Sequence, residues 1–196
     1  MSRSALRGGL FAGLVVGALA CASAGTDVRE YVLTSLDKAD PRPASEGRVL
    51  AIGPIVLPPY LRRLEIVTRV GANELRASDS DHWGEDLGQG LARVVAENLA
   101  VLLPALRVSA FAWRDVGNAD YRVSIEVDRF EQMPDGSIAL DARWELHQRN
   151  DASPIAVRSV SLTEENAGSG SAALVQAMSR AAARLSQEIA LIIPAD

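Results

Sequence analysis

The sequence predicts an α+β domain: a mixed, largely antiparallel sheet with two long helices packed on one face. Three successive segments, 120–130, 138–146 and 155–163, read as strands bounded by turn residues, the pattern of an antiparallel meander with one wet face. Two other stretches, 87–102 and 172–193, repeat their apolar residues at the helical period. Clusters rich in Gly, Pro, Asn and Asp separate these elements.

The chain opens with Arg3 and Arg7 and then an apolar run of Gly, Ala, Leu and Val over 8–20, the make-up of a bacterial export signal. That run ends at Ala18-Leu19-Ala20-Cys21. A small residue before a lone cysteine suits lipoprotein processing, in which the Cys21 thiol is thioether-linked to diacylglycerol and becomes the N-terminus. Two other readings use the same residues. Cleavage after Ala22-Ser23-Ala24 would leave a soluble periplasmic chain, whereas an uncleaved anchor would need about 20 apolar residues, more than this glycine-diluted run supplies. Residues 1–20 are assigned to the signal, 21–30 to a tether and 31–196 to one domain. Ala22, rather than Asp, after the cysteine points a lipidated form to the outer membrane.

Without residues 1–20 the chain has the length of one domain with a full core. The net charge of −5 becomes −7 when Arg3 and Arg7 leave with the signal, and no basic run is present, which excludes nucleic acid as a partner. Cys21 is the sole cysteine, so no disulfide forms within one chain and packing must supply the stability.

A short strand is expected at 31–34, followed by a solvated loop at 37–43. Residues 48–57 form a buried strand interrupted by Gly53-Pro54, a pair suited to a bulge or an edge. Segments 64–70 and 74–77 flank Gly71-Ala72-Asn73 and predict a hairpin with Gly or Asn at positive φ. The first helix takes Ser80 or Asp81 as N-cap, places Glu85 and Asp86 in its first turns, and ends at Pro104. Its apolar face is Leu87, Leu91, Val94, Val95, Leu99 and Leu102. A strand at 106–113 follows, then 120–130 with Tyr121, Val123, Ile125 and Val127 inward. The turn Pro134-Asp135-Gly136 leads to Ile138, Leu140, Ala142, Trp144 and Leu146, and Gly168-Ser169-Gly170 links the meander to the last helix.

Catalytic chemistry is not assembled. His82 in Asp79-Ser80-Asp81-His82 could offer a metal ligand, but those residues also make an N-cap; His147 closes a polar-alternating strand. Glu126, Asp128, Asp141 and Glu145 fall on the wet side of their strands. No phosphate loop, nucleophile elbow or dinucleotide fingerprint occurs. No cofactor, metal or catalytic residue is assigned.

The candidate interface is 53–69, where Pro58, Pro59, Tyr60 and Leu61 form an apolar hook beside Arg62, Arg63 and Arg69. Tyr and Arg next to prolines offer large contact area at low entropic cost. The same loop would serve equally to cover its own sheet edge. Trp83 is likewise an interface anchor or a core residue.

Residues 52–61 (IGPIVLPPYL), then Ile66-Val67-Thr68-Arg69, Asn73-Glu74-Leu75, Trp83 with Glu85 and Leu87, and Ala96-Glu97-Asn98-Leu99 resemble the ABC-type transport auxiliary lipoproteins of the PqiC kind. The likeness runs over about 31–103. Where that pattern has Asp after Tyr-Leu, Pro before Ile-Val and Arg before the tryptophan, this chain has Arg62, Leu64-Glu65 and His82. The resemblance implies a non-catalytic, periplasm-facing lipoprotein of a phospholipid-trafficking system. It would dock an MCE-domain protein near the outer membrane and support membrane integrity. A ring-like partner would match a homo-oligomer. The alternative is a periplasmic protein that itself holds a lipid between sheet and helices.

Overall fold

The computed structural model describes residues 27–36, 47–110 and 119–194. Eight strands and two helices follow the order β1 (Arg29–Tyr31), β2 (Val49–Val56), a single 3-10 turn (Pro59–Leu61), β3 (Glu65–Gly71), β4 (Glu74–Trp83), α1 (Leu87–Leu102), β5 (Arg107–Ala110), β6 (Tyr121–Gln132), β7 (Ile138–Gln148), β8 (Ala156–Glu164) and α2 (Gly170–Ala190). All strands share one mixed sheet. The expected meander is present: β6 pairs antiparallel with β7 from Tyr121↔Gln148 to Gln132↔Ile138, and β7 with β8 from Ile138↔Glu164 to Leu146↔Ala156.

The alternation of β6, β7 and β8 sends Val123, Ile125, Leu140, Trp144, Leu146 and Leu162 to one face. There α1 brings Leu87, Leu91, Val94, Val95 and Leu99, and α2 brings Leu174, Met178, Ala181, Leu185 and Ile189, all in the same buried cluster. Alanines at 177, 181 and 182 let α2 approach closely.

The remaining ladders place the candidate loop. β2 runs parallel to β5 and, through Leu50↔Tyr121 to Val56↔Glu126, parallel to β6. After the 3-10 turn, β3 rejoins the same edge of β6 further along, at Thr68↔Gln132, also parallel. The turn therefore bridges a gap between two strands laid end to end along β6. The interruption expected at Gly53-Pro54 is a cis peptide with a register shift between Ile52 and Ile55.

Several expectations are corrected. β4 runs through Ser80 and Asp81 to Trp83, so neither residue caps α1; the Asp86 carboxylate accepts from the Gln89 N–H and does so. Asp81 instead pairs with Arg29 at 2.7 Å and meets the side chains of Ser78 and, in the first turn of α2, Ser171. The hairpin β3–β4 turns without positive φ at Gly71 or Asn73, whereas Gly136 at the β6–β7 turn takes φ 87°. The first strand is Arg29–Tyr31, parallel to β4, rather than 31–34. Residues 32–36 leave the sheet and lie across the helices. The Leu33 carbonyl accepts from Arg93, the Thr34 N–H donates to Ser179 and the Leu36 N–H to Asn98. β5 occupies 107–110, after a bend at Leu106, and residues 111–113 of that expected strand lie outside the described residues.

Candidate functional site

The site is the bridge between β2 and β3. Pro58 is extended, with φ −61° and ψ 150°, and Pro59 opens the turn, where the fixed φ of proline is pre-organised and no amide donor is lost. The Leu61 N–H donates to the Pro58 carbonyl and the Arg62 N–H to that of Pro59. Leu61 is buried and belongs to the core cluster, as do Leu57 before it and Ile66 after it. The Leu61 end of the apolar hook thus points inward, while Pro59 stays exposed.

A buried carboxylate holds the bridge from below. Glu131, near the end of β6, is 0 % exposed. Its Oε1 accepts from Arg69 Nε at 2.9 Å, and its Oε2 accepts from the Tyr60 hydroxyl at 2.7 Å and from the Phe130 N–H at 3.3 Å. Arg69 also donates to the Ala72 carbonyl in the β3–β4 hairpin. One anion therefore ties the turn, β3 and the hairpin to β6, and its charge is met by a guanidinium and two further donors. Burial pushes the Tyr60 hydroxyl well above its ordinary pKa of 10.0, helped by the hydrogen bond to Glu131. The bond to Glu131 likewise raises Arg69.

The outer side of the bridge has a different character. Arg62 and Arg63 are exposed; Arg63 pairs with Glu65 at 3.0 Å, while the Arg62 side chain makes no ion pair or hydrogen bond among the described residues. Leu64 is 60 % exposed and Val56, at the end of β2, 52 %. Two large apolar groups, Pro59 and an uncompensated cation thus stand in solvent on a fixed backbone.

Of the nominated residues, Pro58, Pro59, Tyr60, Leu61, Arg62 and Arg69 come together on this bridge, but Tyr60, Leu61 and Arg69 face the fold. Trp83, 5 % exposed, takes the core alternative. Cys21 lies outside the described residues. Glu131, the residue that organises the bridge, was not nominated. Its only sequence signal is an acid at the end of an alternating strand, which ordinarily reads as solvated; the register shift between Val127 and Arg129 alters the phase there.

Between the sheet and the helices, where a carried lipid would need room, the space is occupied by Trp144, Phe130, Leu91, Leu99, Met178 and their neighbours. Clefts remain at the rim of this core, one of about 310 Å³ between α1 and β5 lined by Ala96, Ala100, Val101 and Val108, and one of about 590 Å³ between α1 and the Gly53-Pro54 stretch of β2. No three His, Cys, Asp or Glu side chains among the described residues group as metal ligands. No helix among them is long and apolar enough to cross a membrane.

The model of one family, described as the ABC-type transport auxiliary lipoprotein component, matches residues 31–190. The chain belongs to that family. Membership in this auxiliary lipoprotein family places the chain in the cell envelope and associates it with an ABC-type transport system. No functionally curated protein matches it. Among solved structures, a protein of unassigned function superposes with a TM-score of 0.72 at 20 % identity, covering 86 % of this chain and 99 % of its own. The Xanthomonas campestris protein XCC0632, of the DUF330 family, gives 0.66 at 18 % identity, covering 82 % and 92 %. At these identities the two structures establish the fold of the auxiliary lipoprotein domain and nothing finer.

Proposed function

We propose that this auxiliary lipoprotein is a lipid-anchored, non-catalytic periplasmic subunit of an MCE-type intermembrane lipid-transport system. It docks the MCE-domain protein and holds it near the outer membrane through diacylglycerol on Cys21. Extended, the chain from Cys21 to Asp27 reaches at most about 20 Å, so the anchor keeps the domain beside the bilayer.

The observation that carries this reading is the two-sided bridge. Its inner side is spent on the core and on Glu131, so Pro59, Arg62 and Leu64 stand on a backbone that is already ordered, and binding has only their side chains to immobilise. An apolar centre with an arginine beside it is the composition of an interaction hot spot. The test is capture of the partner from detergent-solubilised membranes by the full-length chain, with Arg62→Glu and Leu64→Asp combined. Both changes lie outside the core, so circular dichroism and the melting temperature stay as in the wild type while capture of the MCE-domain protein is lost. Undiminished capture by the double variant would refute the docking site.

A further inference from the structure

We infer that β8 is a self-association edge, at which two copies of this chain join their sheets by antiparallel β8–β8 pairing about a two-fold axis at Val160. Sheets end in rows of unpaired main-chain groups, and proteins blunt such edges by keeping them short or covering them. β1 is short, at three residues. β8 has nine, contains neither Pro nor Gly, and among the described residues pairs only with β7.

The direction of its main-chain groups is fixed by three arginines. The Val157 carbonyl accepts from Arg158 Nη1 at 2.9 Å, that of Thr163 from Arg184 Nη1 at 2.9 Å, and that of Glu165 from Arg180 Nη2 at 2.6 Å. Odd-numbered residues therefore turn their N–H and C=O groups away from β7. Guanidinium groups cover the two ends of the row. Ser159 and Ser161, between them, keep donor and acceptor facing outward with no neighbouring strand among the described residues.

This gap is self-complementary. With the axis at Val160, Ser159 of one copy exchanges both main-chain bonds with Ser161 of the other, and the reverse, so each bare group finds a partner. An axis at Ser161 would instead set Ser159 against the arginine-covered carbonyl of Thr163. In the favoured register Val160 meets its own copy and Arg158 lies opposite Leu162, with Glu164 of the second copy diagonal to it and within reach. The guanidinium groups of Arg158 and of the second copy's Arg184 come together where Val157 lies opposite Thr163, which limits the new ladder to Ser159 and Ser161.

The experiment uses the full-length chain in density-matched detergent, followed by sedimentation over a concentration series. The wild type sediments as a reversible dimer. Ser159→Pro removes an outward donor without touching the β7 ladder, and the loss of two bonds per dimer weakens association by about thirtyfold or more. In a Cys21→Ser background, Val160→Cys forms a disulfide-linked dimer under mild oxidation, because residues facing each other across such an axis bring their Cβ atoms to about 4.5–5.5 Å. Should Ser159→Pro fail to fold, the cross-link alone decides. A wild type that stays monomeric at every concentration leaves the edge to an extended segment of another protein and overturns the self-pairing. So does a Val160→Cys chain that yields no linked dimer.

Discussion

Replacing Arg69 by Met tests whether the bridge is held by a buried ion pair or merely by packing. The substitution keeps the aliphatic stem along β3 but leaves the fully buried Glu131 with the Tyr60 hydroxyl and the Phe130 N–H as its remaining donors. At the 2.9 Å separation and an effective dielectric of about 20, the pair attracts by about 6 kcal/mol before desolvation is subtracted. Breaking such a pair from one side costs about 3–5 kcal/mol. The Arg69 side chain is 17 % exposed, and water reaching the rim recovers part of the loss, which sets the expectation near 3 kcal/mol. For a domain of this size each kcal/mol moves the melting temperature by about 2–4 °C, so the transition should fall by about 6–12 °C. Urea and thermal unfolding of the purified chain read both quantities. The double variant Arg69→Met with Glu131→Met removes the stranded charge and should recover much of the loss. A destabilisation below about 1 kcal/mol, or a double variant worse than the sum of the singles, would show that Glu131 is solvated and that the bridge is not tied through it.

Burial of the Tyr60 hydroxyl, reinforced by its bond to Glu131, sets an alkaline limit. Tyr60 keeps its proton in the folded state to well above the ordinary 10.0, so once the pH passes the unfolded value the folded chain holds a proton that the unfolded chain releases. Stability therefore falls as pH rises above about 10, and Tyr60→Phe should flatten that decline in base titrations followed by circular dichroism; an unchanged slope would count against the buried hydroxyl. At the helix seam, Asn98 accepts from the Leu36 N–H at 2.7 Å and donates to Ser186 at 3.2 Å while fully buried. Asn98→Ala should cost about 2–3 kcal/mol and raise amide exchange at Leu36 before exchange rises in the sheet, measured by hydrogen exchange.

Much of the fold was legible because its signals are local. The inward residues of β6 and β7, the apolar stripes of α1 and α2, and the turn at Pro134-Asp135-Gly136 each follow from backbone geometry that repeats every two or every 3.6 residues. Caps were harder to place. Ser80-Asp81 and Asp86 carry equivalent capping chemistry, and only the extension of β4 to Trp83 decides that Asp86 is used. Residues 32–34 have strand-like composition, yet they lie over the helices because Ser179 and Arg93 satisfy the Thr34 N–H and the Leu33 carbonyl, and Asn98 takes the Leu36 N–H just beyond.

For the bridge, residue types alone mark Pro58 to Arg69 as an unusual stretch and carry its resemblance to transport auxiliary lipoproteins. Which of its side chains face outward follows from the folded arrangement. Inward or outward for Tyr60 and Arg69 depends on Glu131, which is 62 residues from Arg69 and 71 from Tyr60 along the chain. Local periodicity carries no information about that encounter, since a carboxylate on a strand is equally at home in water until another segment of chain closes over it and supplies its donors.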